Sequence, residues 1–211
     1  MAVVTVGPQT DAGLMVGGQI IKLSAVTSAA GLNKVAAALL SGQIVLLPTD
    51  TIYGLSCLAT NETAVRRILG IKGRPDNKPL ISLVNSWAMV ERQAIIENKV
   101  RNYLLSVWPG PVTAILVSRQ HLPAAVTGGL PTIALRWPKN EWLNQLITLI
   151  GQPLVSTSAN LAGQEPIVSI EEASQYFIND QPDLIIDAGV LKNPPSRIID
   201  CQDPLDIKII R

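Results

Sequence analysis

A short apolar run that ends at a proline is the feature that most constrains the fold of this chain. Residues 44–47 read Ile-Val-Leu-Leu, and Pro48 follows them directly. A run of this length without polar alternation predicts a strand over residues 43–47 that is buried on both faces. A sheet that is buried on both faces carries helices on both sides, so we predict an α/β protein.

Helical and strand patterns are intermixed along the rest of the sequence. Helices are predicted over residues 28–40, after Asn61, over 86–107 with a break near 96–98, over 141–150 and over 169–177, where Ser169 and Glu172 match a capping box. Further strands are predicted over residues 20–23, 80–84, 112–117, 132–136, 154–155, 184–186, 197–200 and 206–210. Because the two kinds of element do not alternate strictly, we expect one α/β domain with a large twisted mixed β-sheet flanked by helices. The domain is assigned to residues 20–211, and residues 1–19 are assigned to a flexible leader.

The composition excludes several classes of protein. Of the 211 residues, 47% are hydrophobic, enough for a core that needs neither disulfides nor a structural metal. The 17 basic and 16 acidic residues leave a net charge of +1, so binding to a nucleic acid requires a local basic patch. The apolar runs are far shorter than the ~20 residues that span a bilayer, and no basic segment precedes an apolar run near the start. We therefore expect a cytoplasmic protein that does not enter a membrane.

Several familiar catalytic and binding motifs are absent from the sequence. The only histidine is His121, and the two cysteines, Cys57 and Cys201, do not form a CxxC pair. These residues give no metal-ligand spacing and argue against a nucleophile that is activated by a histidine. The patterns GxxxxGKS/T and GxGxxG are also missing, so neither of the two familiar glycine-rich phosphate loops is present.

Four polar segments lie at the ends of predicted strands, where a rigid sheet holds functional loops. Residues 48–55 (PTDTIYGL) alternate hydroxyl groups with a carboxylate, and residues 72–80 (KGRPDNKPL) carry three cations. Residues 132–138 (TIALRWP) place Arg136 at the end of an apolar strand, and residues 156–160 (STSAN) hold four hydrogen-bonding side chains. Clustered cations suit a polyphosphate, and a strand-end arginine suits a small carboxylate.

Each segment also has a structural interpretation that remains open from the sequence. The first can be a turn that satisfies its own backbone, the second a solvated basic loop, and Arg136 can form a salt bridge at a sheet edge. The hydroxyl-rich segment favours a ligand, because polar side chains left unpaired after a buried strand would cost stability.

Taken in order, six segments resemble the threonylcarbamoyl-AMP synthase family, the YrdC-type domain. They are PTDTIYGL (48–55), KGRPDNKPL (72–80), WPGPVT (108–113), the arginine–proline strand end (136–138), PLVSTSAN (153–160) and PPSRIID (194–200). The match runs from about residue 20 to residue 211. The resemblance implies the short form of the enzyme, with a concave basic cavity on its sheet. It implies condensation of L-threonine, bicarbonate or CO2, and ATP to threonylcarbamoyl-AMP with release of pyrophosphate.

The same resemblance implies a cofactor and partners. Mg²⁺ would arrive with ATP, without a metal ligand from the protein. The product would pass to a tRNA threonylcarbamoyl transferase complex, which forms N6-threonylcarbamoyladenosine beside the anticodon. The alternative function is a non-catalytic module of the same fold that binds tRNA or double-stranded RNA. The intact hydroxyl-rich segments favour the enzyme, because binding a bare phosphate does not require them.

Site residues carry over from the matching motifs. Around threonine the resemblance places Thr51, Tyr53, Arg136, Ser156 and Ser196, with Arg136 paired to the carboxylate. Around ATP it places Lys72, Arg74, Lys78, Thr132, Ser158, Asn160 and Arg211, the first three at the phosphates.

Catalysis would then rest on positioning and on neutralisation of charge by Lys72 and Arg74. No general base is assigned, and Asp50 is not taken as one. One position departs from the family pattern, since Leu83 stands where many members carry a histidine at the threonine pocket.

Overall fold

A computed structural model describes residues 18–75, 77–161, 163–177 and 180–211 of the chain. The predicted leader over residues 1–19 lies almost entirely outside these residues. Eleven strands form in the described part, namely β1 (Gln19–Lys22), β2 (Val45–Pro48), β3 (Tyr53–Leu58), β4 (Ile81–Leu83), β5 (Ala94–Ile95), β6 (Val112–Ser118), β7 (Thr132–Arg136), β8 (Leu154–Ser158), β9 (Leu184–Asp187), β10 (Arg197–Asp200) and β11 (Lys208–Ile209). The α-helices there are α1 (Ala29–Leu40), α2 (Glu62–Ile71), α3 (Trp87–Gln93), α4 (Asn98–Val107), α5 (Ala124–Thr127), α6 (Glu141–Ile150) and α7 (Ala173–Tyr176).

All of these strands belong to one sheet. Its order is β1-β9-β2-β3-β8-β4-β7-β6-β10-β11, and β5 pairs with β6 beside this path. Parallel pairs join β1 to β9, β2 to β9, β4 to β7 and β6 to β10, whereas the other pairs are antiparallel. The predicted single α/β domain with a large mixed sheet is confirmed.

Helices cover both faces of the sheet. On one face, α2, α3, α4, α5 and α7 pack over a core that includes Leu46, Leu55 and Leu135. On the other face, α1 and α6 pack over a second core that includes Val45, Leu47 and Leu154. Alternate residues of β2 thus enter different cores, and all four of its residues are buried. The predicted strand buried on both faces is confirmed.

Local sequence signals explain where the longer helices begin and end. The side chains of Ser28, Asn61 and Asn140 each accept a hydrogen bond from a backbone amide of the first helical turn. These bonds satisfy amides that have no partner within the helix. Helix α6 ends at Gly151, whose φ of 70° is a left-handed conformation that suits glycine.

Several parts of the chain differ from their predicted structure, including α5 in a predicted loop and β5 within a predicted helical stretch. Strand β3 was not predicted, because its segment reads as a polar turn, yet all six residues are buried between β2 and β8. Strand β8 runs on to Ser158 through the polar tract, so Ser156 and Ser158 lie on a strand and not on a loop. The predicted helix over 169–177 is a 3₁₀ turn (Ile170–Glu172) followed by α7. The capping box is absent there, since Glu172 accepts from the amide of Val168 and Ser169 caps no amide.

The described ranges contain no helix that is both long and apolar enough to cross a bilayer.

Candidate active site

A cavity of about 640 Å³ lies on the face of the sheet that α1 and α6 leave uncovered. Side chains of a strand point alternately to the two faces, so each strand supplies every second residue to this cavity. The strand residues that line it include Ile81, Leu83, Thr113, Ile115, Thr132, Ala134, Arg136, Ser156, Ser158 and Ile198. The segments after β2, α2 and β8 complete the wall with Thr49, Thr51, Arg74, Asn160, Gln164 and Glu165.

Strand register separates the cavity into two ends. In the sheet register, Arg136 lies beside Leu83 on β4 and beside Thr113 on β6. These three residues therefore lie at one end of the cavity. Ser156 pairs with Ile81, so the next cavity residue of β8, Ser158, lies beyond it toward Pro79 and Arg74. Thr132 and Arg136 are four residues apart on β7, about 13 Å at the usual rise of 3.3 Å per residue. We call the Arg136 side the arginine–hydroxyl end and the Arg74 side the Arg74 end.

Arg136 is buried at the arginine–hydroxyl end and is held by three groups. Its Nη2 donates to Asp50 Oδ1 at 2.5 Å, its Nη1 to Thr51 Oγ1 at 2.9 Å, and its Nε to the carbonyl of Gly110 at 3.4 Å. Its side chain is 6% exposed. Burial removes water from both charged groups, so each depends on the other for compensation. The pairing therefore holds the guanidinium in one orientation.

The hydroxyl groups beside Arg136 form a directed chain. Thr49 donates to the carbonyl of Ile52 at 2.7 Å, so its only proton is used and Thr51 donates to Thr49 at 2.9 Å. Thr51 in turn accepts from Arg136. On the opposite side, Thr113 and Ser196 hydroxyls lie 2.9 Å apart and are both buried. The arginine–hydroxyl end thus offers a guanidinium and oriented hydroxyl groups to one small polar molecule.

Tyr53 is one of the residues at the cavity wall, but its side chain is fully buried in the core on the opposite face of the sheet, with Leu55 and Cys57. The hydroxyl donates to the carbonyl of Gly189 at 2.7 Å and accepts from the amide of Ala188 at 2.9 Å. Burial raises the pKa of this phenol. Tyr53 therefore fixes the segment after β9, which leads on to Ser196.

Lys72 does not line the cavity. It is 3% exposed, and its Nζ donates to Ser158 O at 2.5 Å, to Asn160 O at 2.9 Å and to Asn160 Oδ1 at 2.9 Å. An ammonium has three N–H donors, so these three acceptors use all of them. Burial, with a smaller effect from Arg74, lowers the pKa of Lys72 to about 8. Through these hydrogen bonds, Lys72 stabilises the turn after β8 from inside the protein.

Among the three cations predicted at the phosphates, only Arg74 lines the cavity. Its Nη2 donates to the carbonyl of Pro79 at 2.9 Å, and its buried Nε has no hydrogen-bond partner. Burial lowers the pKa of its guanidinium. Lys78 is exposed and lies outside the lining.

The residues predicted around the nucleotide, Thr132, Ser158, Asn160 and Arg211, all line the cavity. Some of their side chains form hydrogen bonds to other groups of the protein. Ser158 Oγ donates to Asn160 Oδ1 at 2.6 Å, and Asn160 Nδ2 donates to the carbonyl of Gln164 at 2.5 Å. Thr132 lines the wall on β7. Arg211 lines it too, yet its guanidinium donates to the carbonyl of Ser196 at 3.1 Å, toward the arginine–hydroxyl end.

Several lining residues were not singled out from the sequence. Thr49 and Thr113 lie inside the quoted segments, and alternation along β6 would have indicated Thr113. Gly54 is required by close packing, since a β-carbon there would lie 2.3 Å from Ser156 Oγ. Glu165 had no sequence signal that distinguished it. Leu83, which stands at the departing position, lines the cavity beside Arg136.

The two cysteines and the histidine lie outside the lining of the cavity. Cys57 and Cys201 are buried, and burial raises the pKa of these thiols to about 12 and about 11. His121 is exposed, with Nδ1 2.7 Å from the carbonyl of Arg92. No group of three or more His, Cys, Asp or Glu side chains is placed to hold a metal ion among these residues.

Comparisons with known proteins agree with this architecture. The Sua5/YciO/YrdC family model, described as "Telomere recombination", matches residues 37–211. A threonylcarbamoyl-AMP synthase of Idiomarina loihiensis is 41% identical over 174 residues, which cover 80% of this chain and 90% of that protein. Its counterpart in Yersinia enterocolitica is 36% identical over 169 residues, covering 78% and 88%.

Solved structures are similar over most of the chain. P. abyssi Sua5 in complex with L-threonine superposes with a TM-score of 0.80 at 32% identity, covering 87% of this chain and 54% of that one. A doubly substituted P. abyssi Sua5 gives a TM-score of 0.85 at 32% identity, with 92% and 56% coverage. E. coli YciO, at 24% identity and a TM-score of 0.79, shares the fold.

Proposed function

The chain belongs to the Sua5/YciO/YrdC family, and we propose that it is a threonylcarbamoyl-AMP synthase. The proposed reaction condenses L-threonine, bicarbonate or CO2, and ATP into threonylcarbamoyl-AMP and releases pyrophosphate. The observation that carries the proposal is the cavity with two unlike ends, an arginine among oriented hydroxyl groups at one end and a second arginine at the other. An amino acid and a polyphosphate require these two chemistries.

At the arginine–hydroxyl end, Arg136 would bind the carboxylate of threonine. Thr51, Ser156 and Ser196 would accept or donate hydrogen bonds around the amino acid, and Tyr53 would act from the opposite core by holding the segment after β9. The threonine amine then faces the middle of the cavity, where Ile81, Ala134 and Ile115 form an apolar floor. An apolar floor suits an uncharged amine, which is the form that attacks CO2.

The reaction needs no protein nucleophile. The amine adds to CO2 and loses a proton, which gives a carbamate, and a carbamate oxygen attacks the α-phosphorus of ATP. The bond to the β-phosphate oxygen breaks, and pyrophosphate leaves with the electron pair. Holding both reactants in one cavity replaces a collision in water, an effect worth ~7–11 kcal/mol in well-oriented systems.

At the Arg74 end, Arg74 would contact the phosphates, with Thr132, Ser158 and Asn160 along the nucleotide. Lys72 would act through the turn that it holds, adding positive charge without a direct bond. Lys78, exposed and outside the lining, would contact only the outer, solvated phosphates. Fixed cations at this end would stabilise the charge that develops on the leaving pyrophosphate.

Mg²⁺ would accompany ATP as part of the substrate. Glu165 is the one carboxylate in the lining of the described residues, so phosphate oxygens and water would supply most of its ligands. This matches the preference of Mg²⁺ for substrate phosphates and retained water. The ion would offset phosphate charge.

The product is a mixed anhydride that hydrolyses readily, so a second enzyme must consume it. We propose a tRNA threonylcarbamoyl transferase complex as that partner. The alternative, a non-catalytic module that binds tRNA or double-stranded RNA, is less well supported because RNA phosphates do not need a buried arginine among oriented hydroxyls. Steep salt dependence of RNA affinity without turnover would favour it.

Mass spectrometry of the products formed from ATP, L-threonine and bicarbonate tests the proposal. We expect threonylcarbamoyl-AMP and pyrophosphate in equal amounts, and neither when threonine or bicarbonate is omitted. Arg136→Gln should lose product, whereas Arg197→Ala, an exposed arginine of β10 outside the lining, should keep it. Absence of the adenylate from the wild-type reaction would contradict the proposal.

A further inference from the structure

Asp50 contacts Arg136 from the side that faces away from the cavity. Its Oδ1 accepts from Arg136 Nη2 at 2.5 Å, and its Oδ2 accepts from the amide of Lys139 at 3.1 Å. The Asp50 side chain is 11% exposed and does not line the cavity, whereas Arg136 does. Asp50 therefore acts on a bound molecule only through the arginine.

The other arginines of the cavity wall have a different environment. Arg74 donates to the carbonyl of Pro79, and Arg211 to the carbonyl of Ser196. Within the described ranges, neither forms an ion pair with a carboxylate. Arg211 reaches Ser196 on the β10 side of the sheet, two strands away from Arg136 on β7. Arg136 is thus the lining arginine whose charge is balanced by direct contact with a carboxylate.

Arg136 keeps donors for a ligand in spite of this pairing. A guanidinium has five N–H groups, and three of them go to Gly110, Thr51 and Asp50. One N–H remains on each of the two terminal nitrogens. A carboxylate that binds an arginine through both of its oxygens accepts two N–H groups, so the two that remain are sufficient.

We propose that Asp50 is a positioning residue that makes Arg136 selective for an amino-acid carboxylate over phosphate. The inference rests on the proposed function for the identity of the amino acid. A phosphate dianion gains more than a carboxylate from the full charge of an unpaired arginine, since the interaction scales with the product of the charges. Asp50 removes most of that charge and fixes the plane of the guanidinium. ATP and pyrophosphate are thereby directed to the Arg74 end.

Calorimetric titration with inorganic phosphate, without ATP, tests this role. Four proteins are compared: the wild type, Asp50→Asn, the double variant Asp50→Asn with Arg136→Gln, and the control Asp183→Asn. Asp183 pairs with Arg67, which does not line the cavity. We expect Asp50→Asn to bind an additional phosphate at least tenfold more tightly than the wild type does at this end. L-threonine should displace that phosphate, and the double variant and Asp183→Asn should not bind it.

A purely structural role for Asp50 would weaken threonine binding without improving phosphate binding. Phosphate affinity within twofold of wild type in a folded Asp50→Asn, or a gain that persists in the double variant, overturns the proposal. If the amide variant does not fold, Asp50→Ser, which is smaller and uncharged, takes its place. The titration needs no turnover, so it separates this inference from the proposed function. A gain of phosphate binding without adenylate formation by the wild type would contradict the proposed function alone.

Discussion

Lys72 Nζ and Asn160 Oδ1 lie 2.9 Å apart inside the protein, although 88 positions separate the two residues in the chain. The same ammonium binds the carbonyls of Ser158 and Asn160. A residue that a sequence motif assigns to phosphate is therefore, in the free protein, the support of a turn. Its contribution to stability can be measured separately from its contribution to activity.

Replacement of Lys72 by methionine should lower both stability and activity. The carbonyl of Asn160 would lose its donor in a buried site, whereas Ser158 O keeps the amide of Asn160 and Asn160 Oδ1 keeps the hydroxyl of Ser158, so we expect a loss of about 1–3 kcal/mol in the free energy of unfolding. Urea denaturation monitored by circular dichroism measures this loss. Lys78→Met, at an exposed position, should change the same quantity by less than about 0.5 kcal/mol. Equal stability of the two variants would show that Lys72 is not a support of the turn.

The lowered pKa of Lys72 predicts a pH dependence with a definite sign. With a pKa of about 8 in the folded protein against 10.5 for an ordinary lysine, the unfolded chain binds more protons between these values. The free energy of unfolding attributable to Lys72 should therefore rise as pH increases from about 8 to about 10.5. The difference between wild type and Lys72→Met, measured by urea denaturation across this range, isolates the effect from other titrating groups. A flat difference would mean that burial does not shift this lysine.

Gly54→Ala should distort the sheet at the cavity. The added β-carbon would lie 2.3 Å from Ser156 Oγ but 3.6 Å from Ser156 Cβ, so the hydroxyl is the obstacle. We expect a loss of about 1–3 kcal/mol in thermal or urea unfolding. Adding Ser156→Ala should restore most of the stability but not the binding of threonine. If the double variant is no more stable than Gly54→Ala, the clash lies elsewhere.

Tyr53→Phe should affect stability more than threonine recognition. The hydroxyl group is used by Gly189 and Ala188, so its removal leaves the carbonyl of the exposed Gly189 and the amide of the half-buried Ala188 without this partner, at about 1 kcal/mol. The ring lies in the core opposite the cavity, so KM for threonine should change less than tenfold in steady-state kinetics. Tyr103→Phe on α4, outside the lining, serves as the control. A loss of a hundredfold or more in kcat/KM with unchanged stability would place the hydroxyl on the substrate.

Local signals in the sequence were sufficient for many elements. Strand β7 and helix α6 have the predicted bounds, because apolar alternation, the cap at Asn140 and the stop at Gly151 are all encoded nearby. Strand β3 was missed because Gly54 and Ser56 do not resemble strand residues. Its pairing depends on β2 and on β8, which lies some hundred positions later in the chain.

In the site, as in the fold, the local sequence predicted some features, and others depend on contacts between distant segments. The motifs predicted which segments meet, but the hydrogen bonds of the residues in those motifs are determined by the fold. The sequence of residues 72–80 does not reveal that Arg74 faces the cavity, Lys72 faces a turn and Lys78 faces solvent. The hydroxyl of Tyr53 and the pairing of Arg136 with Asp50 likewise depend on segments far apart in the chain.

Side chains alternate along β4, β6, β7, β8 and β10. One set of residues faces the cavity, and the other packs in the core on the opposite face of the sheet. On β7, Thr132, Ala134 and Arg136 face the cavity, and Ile133 and Leu135 enter the opposite core. Deleting or inserting one residue within such a strand would exchange the two sets, burying a guanidinium in hydrocarbon and opening the core to water. Natural variation in this part of the protein is therefore expected to proceed by substitution within strands, with changes of length confined to the connections between them.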